Sequence, residues 1–175
     1  MLLALAEVPV STIPKPLDQM YTAHHSMVFR TAHRITGNAE DAEDVLQTVF
    51  LRLLKRETLE IDNPESYLRR SAVNAALDVV RARQADNTLE LERMPASGSC
   101  TELRDLRDTL RRALAKLPER TAEMFALRFF EGYTNPEIAK LMGISQVVVA
   151  VTVHRARKKL QDELKKQDHG KGAAQ

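Results

Sequence analysis

The sequence predicts an all-α protein built of two small helical domains joined by a flexible linker. Three observations carry that prediction. Apolar residues recur three and four apart along most of the 175 residues, the spacing of helices that bury one face. Only one run, the valines between 147 and 153, reads as a strand by propensity. Between Gln84 and Thr101 the periodicity fails, and QADNTLELERMPASGSC holds Asp, Asn, Pro, Ser and Gly at the density of a linker.

Taken in order, residues 1–16 hold Pro9, Pro14 and Pro16 and read as an extended leader. A first domain is expected over 17–83. In it MVFRTAHRI lines up Met27, Val28, Thr31, Ala32 and Ile35, and Gly37-Asn38 ends the helix with a left-handed cap. AEDAEDVLQTVFLRLLKR comes next. Its acids (Glu40, Asp41, Glu43, Asp44) come first and its bases last, as the helix dipole favours, and Val45, Leu46, Val49, Phe50, Leu53 and Leu54 form its buried face. ETLEIDNPE, 57–65, is an acidic connection. Pro64 and Glu65 open a third helix, ESYLRRSAVNAALDVVRAR, with Tyr67, Leu68, Ala72, Ala75, Ala76, Val79 and Val80 inward. After a linker over 84–102, a second domain over 103–167 begins with a stripe of Leu103, Leu106, Leu110, Ala113, Leu114 and Leu117. Pro118 starts the next helix and Gly132 stops it. Residues 168–175 are a tail.

Hydrophobic residues make up 43% and charged residues 29%, a globular balance rather than a disordered one. The net charge of +2 conceals a dipolar chain: by direct count residues 104–167 hold 14 Lys/Arg against 8 Asp/Glu, while 38–65 are acidic. The single cysteine, Cys100, excludes an intramolecular disulfide and a Cys-rich zinc site and suits a reduced, cytoplasmic setting. MLLALAEVPV has no base ahead of its apolar run and Glu7 inside it. It reads as neither signal peptide nor span, so no membrane insertion is expected. His24, His25 and His33 suggest a metal only weakly, since His24 and His33 fall on different helical faces. With no glycine loop or nucleophile motif either, the expectation is no catalytic residue, no metal and no cofactor.

TNPEIAKLMGIS carries the strongest local signal. Thr134 and Glu137 form a capping box with Pro136 in the first turn, Ala139 is small where two helices cross, Gly143 suits a positive φ, and Ser145 can cap the next helix. This is the spacing of a helix-turn-helix, whose second helix enters the major groove. Two helices packed about a glycine turn need no ligand. Together with the basic residues Arg128, Arg155, Arg157, Lys158 and Lys159, the pattern favours nucleic acid.

GNAEDAEDVLQTVFLRL, SYLRRSAVNAALDVVRAR and LPERTAEMFALRFFEGYTNPEIAKLMGIS…HRARKKL, in this order over about residues 17–166, resemble a bacterial sigma factor of the extracytoplasmic-function (ECF) group. The resemblance implies a domain two that docks on core RNA polymerase (the β′ clamp helices, with the β subunit also in contact) and a domain four that reads the minus-thirty-five element of promoter DNA. An anti-sigma factor is a further implied partner. Asp41, Asp44, Gln47 and Phe50 match the core-binding helix; Asp41 and Asp44 also suit a solvated helix N-terminus, and Phe50 also suits the core. Arg69, Arg70, Asn74 and Arg81 fall where the family meets the melted minus-ten strand, Asn74 suiting an unstacked base and Arg81 a phosphate. Asp78 equally suits a local pair with Arg81. The loop 57–65 lies where the family captures a flipped base. Ser145, Gln146, Val148, Ala150, Thr152, Arg155, Arg157 and Lys158 correspond to the minus-thirty-five reader.

The chain departs from the family at Tyr67, where Trp is frequent, at Val73, in place of a base, and at Val148, Ala150 and Thr152, where small polar residues followed by Lys and Arg are usual. The valines leave three readings open: apolar contact with thymine methyls, a protein-binding face, or weak minus-thirty-five recognition. The competing assignments for the whole chain are a non-sigma helix-turn-helix regulator and a polymerase-binding protein with weakened DNA recognition.

Overall fold

Across residues 15–56, 60–89 and 101–171, which the computed structural model describes, the helical periodicity becomes seven α-helices and no strand. They are α1 Lys15–Thr36, α2 Ala39–Leu54, α3 Pro64–Leu89, α4 Thr101–Ala115, α5 Glu119–Phe129, α6 Asn135–Met142 and α7 Gln146–Lys171. Residues 1–14, Cys100 and the tail from 172 lie outside the described residues, as do 57–59 of the acidic connection and 90–100 of the linker.

Local chemistry sets most boundaries. Gly37 takes φ 74° and its N–H donates to the His33 carbonyl (2.8 Å), closing α1. Asn38 then starts α2, its Oδ1 accepting from the Glu40 and Asp41 amides at 2.7 and 3.4 Å. Asn63 does the same for α3 through the Ser66 amide. Thr134 and Glu137 complete a reciprocal capping box on α6, which ends at Gly143 with φ 66°. Ser145 Oγ accepts from the Val148 amide (3.3 Å) and caps the helix that the valine run forms against its strand propensity.

Four expected boundaries move, two of them because α4 opens at Thr101 within the stretch assigned to the linker and α7 runs to Lys171 within that assigned to the tail. Lys15 and Pro16, assigned to the leader, open α1, where proline's missing N–H costs nothing. Helix α3 continues through Leu89, into the stretch assigned to the linker. Two expected core residues are exposed. Leu54 is the last residue of α2, and on α4 burial passes to Thr109, Ala113 and Leu114, with Leu117 in the turn after it, leaving Leu106 outside.

Helices α1, α2 and α3 pack mutually around Val28, Ile35, Val45, Val49, Leu53 and Leu68. In the second bundle α7 is the centre, contacting α4, α5 and α6 through Val149, Val153, Ala156 and Leu160, with Leu114, Leu127 and Ile138 buried alongside. A flexible linker leaves two bundles free of one another, yet here they dock. Helix α3 packs against α4 and α5, and the buried apolar residues form one continuous cluster. Among the described residues no single helix is long and apolar enough to cross a membrane.

Gly143 generates a test. A Cβ there would meet nothing within 4 Å, so Gly143→Ala should cost only the left-handed backbone penalty, about 1–2 kcal/mol, seen as a lowered urea midpoint at unchanged slope.

Candidate nucleic-acid interface

Helix α7 turns the stripe Val149, Val153, Ala156 and Leu160 inward. At 100° per residue the opposite side carries Val147, Val151, His154 and Lys158, with Val148, Thr152 and Arg155 on one flank and Ala150 and Arg157 on the other. Val147, Val148 and Val151 are 71%, 49% and 43% exposed, while Ala150 and Thr152 are only partly accessible. Ser145, Gln146, Arg155, Arg157 and Lys158 are all exposed. The outward face is therefore apolar for two turns and basic for the next two. Val147 and Val151, absent from the family-derived set, belong to this outward face, and the phase of the buried stripe is the signal that finds them. Arg128 is drawn off to the Tyr133 carbonyl (2.9 Å).

On α3 the structure gathers Arg69, Arg70 and Asn74 on one side, but turns that side towards the second bundle. Arg69 Nη1 donates to Glu131 (2.8 Å), and its other terminal nitrogen to Glu65. Burial works against the charge of Arg69, yet the hydrogen bonds of Glu131 and Glu65 and the charge of Glu131 outweigh it and raise its pKa. Arg70 pairs with Glu123, and Asn74 Nδ2 donates to the same carboxylate oxygen (3.1 Å). Arg81 makes the local pair with Asp78 (3.2 Å), leaving its Nη2 buried without a partner. Val73 is fully buried, so its position belongs to the core and offers no phosphate contact. Glu123 and Glu131 were missed by sequence reasoning; an acid inside the apolar run AEMFAL was the one available sign.

On α2 the expected acidic face divides. Asp44 and Gln47 are exposed, but Asp41 is 8% exposed and not the solvated N-terminal acid its position suggests. Arg83 Nη2 donates to its Oδ1 (2.8 Å), while Oδ2 is buried and unpartnered. Burial pushes the Asp41 carboxyl above its ordinary pKa of 3.8; Arg83 opposes the shift, and Asp44 and Glu40 add to it. Phe50 points inward, edge-on to Tyr21 with ring centroids 4.9 Å apart. The outward stripe instead runs Glu43, Gln47, Leu51, Leu54, and Glu43 and Gln47 line an open groove of about 440 Å³ with Tyr21, His25, Phe29 and Arg30. Among the described residues no three of His, Cys, Asp and Glu stand close enough to share a metal ion.

Residues 20–85 match the family model described as sigma-70 region 2, and residues 107–160 match that described as sigma-70, region 4. The chain is 32% identical over 155 residues to the RNA polymerase sigma-E factor of Streptomyces coelicolor, covering 86% of this chain and 87% of that one. It is 31% identical over 146 residues to the ECF sigma factor SigM of Mycobacterium tuberculosis, covering 82% and 74%. Against the ECF sigma factor SigE of Mycolicibacterium smegmatis the identity is 29% over 161 residues, and this chain spans only 62% of that relative's length. The fold is similar to that of the sigma factor RpoE from Bartonella quintana, crystallised with the anti-sigma factor NepR, with a TM-score of 0.51 and 20% identity over 87% of this chain and 98% of that one. Two region matches in this order, with a relative aligned along most of both chains, place the protein in the ECF group of RNA polymerase sigma factors.

Proposed function

We propose that the protein binds core RNA polymerase and directs it to specific promoters, with α1–α3 as the core- and minus-ten-binding domain and α4–α7 as the minus-thirty-five reader. The observation that carries this is α7: a capped helix-turn-helix that buries one stripe and presents the opposite one, apolar at its tip and basic behind. Val147, Val148 and Val151, with Ala150 and Thr152 beside them, are suited to thymine methyls. Arg155, Arg157 and Lys158 then hold phosphates and set the register.

The exposed stripe of α2, Glu43 to Leu54 with Asp44 beside it, is assigned to the β′ clamp helices, and further contacts to the β subunit. Asp41 acts there through the helix N-terminus it charges. Arg69, Arg70, Asn74 and Arg81 are assigned to the melted minus-ten strand. The work of every residue is positional, and no covalent step is assigned to any. An anti-sigma factor is the expected restraint, as crystallised with the Bartonella relative. The three exposed valines also favour a second reading, a protein-binding face on α7.

Multi-round transcription with core polymerase on a pool of genomic promoter fragments separates these. Discrete transcripts that depend on the protein, with T-rich upstream elements, are expected; co-elution with core but no transcripts would favour the protein-binding reading of α7. Ala150→Lys should strengthen non-specific duplex binding and steepen its log-log salt dependence by about one unit. No gain across a salt series would remove this face from DNA.

Asp41 yields a pH test. Because its folded pKa is raised, the folded state holds the proton more readily than the unfolded chain. Its contribution to stability therefore falls as pH climbs from 3.8 through the raised value, and the ionised group is a net cost at neutral pH. Asp41→Asn should raise the thermal midpoint at pH 7, change it little at pH 3, and weaken co-elution with core. A higher midpoint with unaltered co-elution would make Asp41 purely structural.

A further inference from the structure

Beside the apolar packing of α3 on α4 and α5, the polar contact between the two bundles engages three of the side chains assigned to minus-ten DNA, Arg69, Arg70 and Asn74. Glu131 lies in the turn after α5, and its side chain is 0% exposed. Every donor described for it comes from the first bundle: Thr31 Oγ1 (3.0 Å), Arg34 Nη1 (3.0 Å) and Arg69 Nη1 (2.8 Å). Glu123, on α5, is buried too, and its donors, Arg70 and Asn74, come from α3. A buried carboxylate whose partners all lie across a boundary does nothing for the bundle that carries it. It acts only while the boundary is closed.

The chemistry is that of a strand in place. A guanidinium fork accepts a carboxylate or a phosphate with similar geometry, and Asn74 holds Glu123 with the amide edge it would offer a base. The fit is incomplete: Asn74 Oδ1 is buried with no partner, an acceptor that the glutamate cannot satisfy and a base donor could. Three further arginine bonds cross the same boundary, Arg34 to the Phe130 carbonyl, Arg70 to Leu141 and Arg111 to Ile35, each at the end of a helix in the other bundle.

We infer that the free chain occludes its own single-strand site, with Glu123 and Glu131 occupying Arg69, Arg70 and Asn74 in place of DNA. The inference rests on the assignment of α3 to the melted strand. The two glutamates and a single strand compete for one set of donors, so the apparent affinity of the free chain is its intrinsic affinity scaled by the fraction that is open. Opening also frees α6 and α7 to move relative to α3, as two separated promoter elements require.

The test uses the full chain without polymerase. E123Q/E131Q keeps shape and removes both charges. Its radius of gyration by small-angle scattering should rise, and its affinity for a short fluorescein-labelled DNA strand of mixed sequence should increase on the order of tenfold. R69A/R70A in that background should abolish the gain. An unchanged radius and affinity in E123Q/E131Q, with R69A/R70A still weakening the strand in the parent, would overturn the lock and leave the DNA assignment standing. An opened chain whose strand affinity is indifferent to R69A/R70A would overturn the assignment and the occlusion with it. Should E123Q/E131Q lose helicity by circular dichroism, a salt series on the parent decides: expansion at constant helicity supports the lock, and constant dimensions overturn it.

Discussion

A carboxylate taken out of water must be followed by cations, and Glu131 obeys that constraint across the whole molecule. Its desolvation costs several kcal/mol unless donors close around it, and Thr31, Arg34 and Arg69 do so from two different helices. That requirement settles which faces of α1 and α3 meet the turn after α5. The arginine-to-carbonyl bonds fit the same scheme. Helix C-termini expose unpaired carbonyls at the negative end of the dipole, and a cation from the facing bundle answers both. Arg111 caps α1 and Arg34 caps the end of α5, so each bundle completes a helix of the other. The described polar contacts are ones that water and salt can replace, unlike the apolar packing that holds each bundle together and continues between them.

Helix α7 solves a different conflict. A run of β-branched residues loses about 0.5 kcal/mol per residue in a helix relative to alanine. The Ser145 cap and the burial of Val149 and Val153 offset that loss, so the stretch stays helical. The remaining valines, Val147, Val148 and Val151, leave much of their surface outside the fold, where it is open to whatever the helix meets. Charge deferred to Arg155 and beyond leaves the tip of the helix free of strong phosphate attraction, so any selectivity there depends on shape and methyl contact.

What was legible in the chain was short-range. The Thr134–Glu137 box, the left-handed glycines 37, 132 and 143, the Asp78–Arg81 pair and the inward phase of Val149 and Val153 all derive from residues a few positions apart. What was not legible joins distant segments. Arg83 reaches Asp41 over 42 residues, Asn74 reaches Glu123 over 49, and Thr31 reaches Glu131 over 100. No periodicity encodes such partners, and a solvated acid on a helix N-terminus has the same sequence as a buried one. Leu54 and Leu106 depart from expectation for a related reason: a stripe gives the phase of a helix, while its end and its neighbours decide how much of that stripe is covered.

Gly37 joins the local and the distant. It closes α1 in the left-handed region, and the guanidinium of Arg111 lies where a Cβ would stand. Asparagine is the usual substitute for glycine in such a backbone. Here it would keep the turn but evict Arg111 from the Ile35 carbonyl. Drift at this single position would thus leave the first bundle intact while cutting one tie to the second. Across a lineage, glycine retained at 37 together with arginine at 111 would mark chains selected to keep their halves docked, and joint loss of the two would mark chains released from that demand.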